Sequence, residues 1–226
     1  MAILYIIPTP IGNLSDLSKR AETLIRECDV LLVEDTRHTG KLLSHLDIKK
    51  RMLSYHKFNE HQIIAKCLSI IETHEKVGLI SDAGTPSISD PGYLIVKNCI
   101  EQNIDVECLP GATAFVPALV VSGLPTDRFC FEGFLPVKKG RKKRLAELTT
   151  EKRTMIFYES PYRIGKTLNE FSEYFGQERK VSVSRELSKK FEETIRGTLG
   201  DLSAHYNSVK NKGEFVVVLE GNNLAD

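Results

Sequence analysis

Several features that would place a chain quickly are missing from this sequence. No apolar run approaches the ~18 residues needed to cross a bilayer, so no transmembrane helix is expected. The first apolar run has no basic region before it and is stopped by Pro8, which argues against a signal peptide. Charge of one sign is scarce. The 31 Lys and Arg residues face 30 Asp and Glu, a formal net charge of +1, so any attraction to nucleic acid must come from a local cluster. The five cysteines (Cys28, Cys67, Cys99, Cys108, Cys130) form no C-x-x-C pair and sit in apolar segments. An odd, scattered set of this kind reads as reduced core thiols, and the chain is expected to be soluble and cytoplasmic. The His38/His45 and His56/His61 pairs match no metal-ligand spacing, and no metal is expected.

The most telling absence lies in Leu4–Ser18, LYIIPTPIGNLSDLS. An apolar run there enters a tight loop and then an apparent helix, where a nucleotide-binding fold carries G-x-G-x-x-G or G-x-x-x-x-G-K-[ST]. The loop instead reads Pro8-Thr9-Pro10-Ile11-Gly12-Asn13, with one glycine and no lysine. A nucleotide hydrolase is therefore disfavoured.

What is present is a well-ordered α/β pattern. The 226 residues, 41% hydrophobic and 27% charged, are enough for one large domain or two small ones. Short apolar runs occur at Leu4–Ile7, Val30–Val33, Met52–Tyr55, Val77–Ile80 and Val106–Leu109. Helical spacing lies between them: Leu17, Ala21, Leu24, Ile25 and Cys28 after a candidate cap at Ser15, then Leu42, Leu43 and Leu46. A third helix runs through Ile63, Ile64, Cys67, Leu68 and Ile71, with Asn59 and Gln62 as a candidate capping box, and a fourth through Leu94, Ile95, Cys99 and Ile100. Five such units predict a parallel sheet covered on both faces. The second half differs. Strand-like runs at Phe129–Phe134, Thr154–Tyr158, Val181–Ser184, Glu193–Gly197 and Phe215–Leu219 include one hairpin-length connection, Arg185 to Glu192, and predict a mixed sheet. Glycine and proline at Ser122–Thr126 suggest a boundary, giving two α/β domains, residues 1–122 and 123–226.

In an open parallel sheet, ligands bind beyond the carboxyl ends of the strands. The segments found there are Pro8–Gly12, Glu34–Gly40 (EDTRHTG), Ser81–Gly92 (SDAGTPSISDPG) and Pro110–Thr113, all expected on one rim. Glycine and proline also punctuate ordinary turns, but a twelve-residue loop in a compact domain is more often a binding loop than a spacer. For Glu34-Asp35 the bland alternative is capping of the helix that follows.

PTPIGNLSDLS, VEDTRHTGKLL, SDAGTPSISDPG, LPGATA, SGLPTDRFCFEGFLP, FYESPYRI and SRELSKKFEET together resemble the ribosomal RNA small subunit methyltransferase I family, within the tetrapyrrole methylase superfamily. The resemblance runs from Leu4 to about Glu220. It implies a homodimer of two α/β domains with S-adenosylmethionine in the cleft between them. The reaction it implies is methylation of a cytidine ribose 2′-hydroxyl in the decoding region of small-subunit ribosomal RNA. Many members continue into a short additional C-terminal segment. A sulfonium donor has no phosphates, so its loop needs shape and carbonyls in place of a lysine. By the same resemblance the cofactor-contact roles fall to Pro8, Thr9, Asp82, Gly84, Thr85, Ile88, Thr113, Ala114 and Tyr158.

Methyl transfer is an in-line displacement in which alignment supplies up to roughly 7–11 kcal/mol. A ribose hydroxyl also gains from a proton acceptor. Glu34, Asp35 and His38 are the candidates, with Glu159 and Glu186 approaching from the second domain. Arg37 and Arg185 are placed to hold a substrate phosphate. Lys138, Lys139, Arg141, Lys142, Lys143 and Arg144 form a concentrated basic run suited to an RNA backbone, though such runs are usually solvated helix starts. Phe129, Phe131 and Phe134 are expected in the core, because they share a strand. Two rivals remain at this stage: methylation of a tetrapyrrole carbon, and a non-catalytic RNA-binding assembly factor.

Overall fold

The computed structural model describes residues 2–222, which form two compact units that divide between Thr113 and Ala114. In the first unit the chain runs β1 (Ile3–Ile6), α1 (Lys19–Glu27), β2 (Val30–Val33), α2 (Thr36–His45), β3 (Arg51–Ser54), α3 (Glu60–Thr73), β4 (Lys76–Ile80), α4 (Tyr93–Glu101) and β5 (Asp105–Cys108). The sheet order is β3-β2-β4-β1-β5, and every pairing is parallel. Alternate residues feed two separate cores. Tyr5, Leu31 and Val33 pack with Leu24 and Ile25 of α1 and Leu43 of α2. Leu4, Ile6, Leu32 and Leu79 pack with Leu68 and Ile71 of α3 and Ile95 and Cys99 of α4. Burial on both faces is why β2 reads as an unbroken VLLV with no alternation.

Two capping expectations are corrected. The cap of α1 is Ser18, whose hydroxyl accepts from the Ala21 amide at 3.1 Å. Ser15 lies inside a 3₁₀ turn, Leu14–Asp16, capped by Asn13, and the extended backbone of Leu17 separates that turn from the helix. No capping box forms at Asn59, because its side chain faces back into the preceding loop. There its oxygen accepts from the His56 amide (2.8 Å) and its nitrogen donates to the Ser54 carbonyl (3.1 Å).

The second unit runs α5 (Phe115–Ser122), β6 (Phe129–Phe134), α6 (Arg141–Leu148), β7 (Thr154–Glu159), α7 (Ile164–Phe175), β8 (Lys180–Arg185), β9 (Glu193–Thr198), α8 (Leu199–Ser208) and β10 (Phe215–Leu219). Its sheet is mixed, in the order β6-β7-β10-β8-β9. Only β6 and β7 pair in parallel, and β8-β9 is the expected hairpin. The core lies where Phe157, Leu168, Phe171, Val183, Leu202 and Val217 meet. The helix α5 packs on β7, β8 and β10 and so falls with this unit; the 122/123 boundary expected from sequence coincides with its C-terminal glycine, Gly123, at φ +76°.

Cys28, Cys67 and Cys99 are buried free thiols, and burial pushes Cys67 and Cys99 up to about 11. Cys108, expected in the core, is exposed at the end of edge strand β5. Among the described residues no helix is long and apolar enough to cross a membrane, and no three His, Cys, Asp or Glu side chains are grouped to hold a metal ion.

Candidate functional site at the carboxyl rim of the parallel sheet

The strand order sets which loops meet. Because β1 lies between β4 and β5, the loops leaving these three strands are neighbours. Thr9 and Gly84 form an isolated antiparallel bridge: the Thr9 amide donates to Gly84 (2.9 Å) and the Gly84 amide to Thr9 (3.0 Å). The buried Thr9 hydroxyl donates to the Ser81 carbonyl at 3.2 Å. Gly84 sits at φ +76°, a conformation that L side chains rarely adopt. On the other flank the Thr85 hydroxyl donates to the Ala112 carbonyl at 3.0 Å. Pro8, Thr9, Asp82, Gly84 and Thr85 are thereby brought together, with Thr113 one residue beyond Ala112. Ile88, half-buried, folds back with its amide on the Thr85 carbonyl at 3.2 Å.

Gly111 shows how tightly this flank is closed. A Cβ there would lie 2.4 Å from Pro8 Cβ and 2.7 Å from Pro8 Cγ, and a proline ring cannot rotate away. Gly111→Ala should therefore push the β1 and β5 loops apart at a cost of about 1–3 kcal/mol, the usual scale for overpacking. The expected result is a lowered Tm with weaker donor binding by titration. Wild-type values for both would show that the flank yields freely.

The other end of the rim is acidic. The Asp82 amide donates to Glu34 Oε2 at 3.3 Å, and the Asp35 amide donates to Asp82 Oδ1 at 3.2 Å, which ties the β2 and β4 loops together. Burial raises the Glu34 carboxyl above its ordinary value; the Asp82 amide opposes this, and the Asp82 charge adds to it. Asp90, at the end of the twelve-residue loop, is pushed up to about 7, by burial first and then by the charge of Glu34. Sequence reading missed Asp90. Its only local signal was a carboxylate before Pro91-Gly92 at the close of that loop.

Asp35 serves in the bland role weighed from sequence. It caps α2, its Oδ1 accepting from the Arg37 amide at 2.8 Å, and it pairs with the exposed Arg37 guanidinium at 2.7 Å. That guanidinium holds the Asp35 carboxyl well below the usual carboxylate range, so it is a poor proton acceptor. His38 follows, exposed in the first turn of α2.

The remaining candidates lie in the second unit. Ala114 precedes α5, and Tyr158 is half-buried with its ring edge-on to Phe131 (5.0 Å) and Phe134 (5.6 Å). Phe131 also lies 4.8 Å from Phe115. The three phenylalanines expected in the core thus form a separate aromatic cluster under α5, with Phe129 39% and Phe134 54% exposed.

The basic run divides. Arg141 is buried and fully engaged: it pairs with Glu170 (2.7 Å) and donates to Thr167 Oγ1 (2.8 Å) and the Pro136 carbonyl (3.2 Å). Arg144 grips Glu132 through two hydrogen bonds, of 2.8 and 2.7 Å. The exposed charge of the run therefore belongs to Lys138, Lys139, Lys142 and Lys143. Arg185 pairs with Glu193 at 3.2 Å. The two carboxylates expected from this unit are both engaged by neighbouring donors. Glu159 is buried and accepts from Arg163 (2.9 Å), Thr167 (2.7 Å) and the Ser160 amide (2.7 Å). Glu186 is held by Lys189 (2.9 Å) and the Glu214 amide (3.0 Å).

Two five-stranded α/β sheets, the first all parallel and the second mixed, make up a methylase-type fold, and residues 3–203 match the family model of the Tetrapyrrole (Corrin/Porphyrin) Methylases. The fold agrees with solved structures. Cobalt precorrin-4 methyltransferase superposes with TM-score 0.69 at 19% identity over 96% of this chain and 94% of that one. Uroporphyrin-III C-methyltransferase from Thermus thermophilus, complexed with S-adenosyl homocysteine, gives 0.67 at 19% identity over 96% of each. Similarity in sequence is much higher to proteins named ribosomal RNA small subunit methyltransferase I. That of Synechocystis is 47% identical over 98% of this chain and 80% of the relative, and that of Escherichia coli O157:H7 is 46% identical over 96% and 77%. That of Thermotoga maritima is 42% identical over 98% of this chain and 99% of the relative. The chain belongs to the tetrapyrrole methylase family and, within it, to the ribosomal RNA small subunit methyltransferase I proteins.

Proposed function

We propose that this protein transfers the methyl group of S-adenosylmethionine to the ribose 2′-hydroxyl of a cytidine in small-subunit ribosomal RNA, acting as a homodimer in the cytoplasm. The observation that carries the chemistry is the composition of the rim. Pro8, Thr9, Asp82, Gly84 and Thr85 contribute carbonyls, a carboxylate and close backbone approach, and neither lysine nor arginine is among them. Such a set suits a cationic sulfonium and an adenosine, and it repels a pyrophosphate. S-adenosylmethionine supplies an activated methyl group. The relatives' names support RNA as the acceptor, as do the four exposed lysines of the basic run, where phosphates of the backbone would sit.

Glu34 is the proton acceptor in this reading. Its half-buried carboxylate is raised toward the working pH, whereas Asp35 is held down by Arg37. With S-adenosylmethionine bound, its sulfonium would supply the methyl group to the ribose oxygen, and Glu34 would take the hydroxyl proton. Asp82 holds Glu34 through its amide, and Thr9, Gly84 and Gly111 keep the donor side closed. Thr113 and Ile88 complete the donor contacts of this unit, and Arg37 steadies a phosphate. Calorimetric titration tests the donor assignment. Heat is expected with S-adenosylmethionine and with S-adenosylhomocysteine, and none with ATP or NAD. Binding of ATP in preference to either would overturn it.

A further inference from the structure

We infer that the loop between β3 and α3 is a substrate-holding element, with Phe58 stacking on a nucleobase of the RNA next to the acceptor ribose. This deepens the RNA reading above and rests on it. Phe58 is 88% exposed, and among the described residues the only ring it meets is that of His56, at 6.2 Å and 64°. An exposed phenylalanine alone would mean little. This one is held out on a rigid support. Asn59 gives up capping α3 in order to fix the loop, accepting from the His56 amide at 2.8 Å and donating to the Ser54 carbonyl at 3.1 Å. The Phe58 amide donates to His56 Nδ1 at 3.3 Å, and the buried Tyr55 donates its hydroxyl to Glu60 at 3.2 Å. Ordering is thus complete before any ligand arrives, which lowers the entropic cost of stacking.

Placement is the second observation. The Tyr55 amide donates to the Val33 carbonyl at 2.8 Å, so the loop leaves the sheet beside Glu34. Three residues from Tyr55 to Phe58 span at most ~11 Å, a distance on the scale of one nucleotide. The His56 ring is near enough to Glu34 to favour its ionised form. Lys57, between the two rings, is exposed and makes no ion pair among the described residues. An aromatic face flanked by an unpaired cation, both presented beside a proton acceptor, matches how single-stranded RNA is gripped: bases stack and the phosphate is neutralised.

The sequence contains no tryptophan, so Phe58→Trp installs a single reporter at the tip. Its emission should fall when small ribosomal subunits are added and stay unchanged with S-adenosylmethionine alone. In parallel, Phe58→Ala should raise KM for subunits by roughly 5- to 150-fold, the range for one lost base stack, with kcat at saturation and donor affinity unchanged. Phe58→Tyr should restore KM. Normal KM for Phe58→Ala, or unquenched emission from an active Phe58→Trp enzyme, overturns the inference while the RNA reading stands. Failure of the wild-type protein to methylate subunits or their RNA overturns both.

Discussion

Glu34→Gln should lower methyl transfer by roughly 10²–10⁴-fold, the usual contribution of a positioned proton acceptor, with donor affinity unchanged. The amide keeps the size of the side chain and its hydrogen bond from Asp82, so only the basicity is removed. The pH dependence makes the result specific. Burial raises Glu34, and its neighbour Asp90 is pushed up to about 7, so the pair has less than its full charge in neutral solution. The acceptor works when ionised, and the wild-type rate should therefore rise with pH as Glu34 loses its proton, above the ordinary carboxylate range, and level off beyond that. Stability should respond in the opposite sense. The folded-state pKa of Asp90, about 7, exceeds the roughly 3.9 of an unfolded chain, so between these values the folded protein binds the extra proton and loses stability as pH increases. Asp90→Asn should accordingly raise Tm at pH 8 and leave it nearly unchanged at pH 4. A Glu34→Gln enzyme with wild-type turnover across this range would remove Glu34 from the mechanism.

Glu159→Ala should unfold the second unit well before it touches the chemistry. Glu159 is a buried carboxylate receiving hydrogen bonds from Arg163, Thr167 and the Ser160 amide, and Thr167 is itself held by Arg141, which is locked to Glu170. Removing one partner of a buried charge network strands the others without water, a loss of about 3–5 kcal/mol. For a chain of this size that lowers Tm by on the order of 10 °C. Below the new transition, kcat should stay within a few-fold of wild type, because this carboxylate is buried and already engaged by three donors within its own unit. Normal Tm with abolished turnover would be the signature of the proton-acceptor role that its sequence position first suggested.

The same network shows where sequence reading stops. In the sequence the six cations from Lys138 to Arg144 are equivalent. What separates Arg141 from its neighbours is a pair of residues 26 and 29 positions away, Thr167 and Glu170, and nothing local reports them. Asp90 escaped notice for a related reason: its ionisation is set by burial and by Glu34, which lies in the loop after β2, far away in sequence. The strands, in contrast, were readable to within about a residue. Runs such as VLLV and FVVVL are buried on both faces, and their apolar character ends where the sheet ends. The rim loops were readable because a parallel sheet gathers its carboxyl ends, and Gly84 and Gly111 mark close backbone approach. Ser15 was the expected cap of α1; Asn13 draws it into a 3₁₀ turn and the cap falls to Ser18, a local competition that spacing does not reveal.

The central claim is that the acceptor is a ribose oxygen of small-subunit RNA. Purified protein should be incubated with methyl-labelled S-adenosylmethionine and either unmodified small ribosomal subunits or uroporphyrinogen, and the RNA digested to nucleosides. Label recovered in a single 2′-O-methylcytidine, and none in the tetrapyrrole, is the predicted result. Label on a base, or on the tetrapyrrole alone, would contradict it.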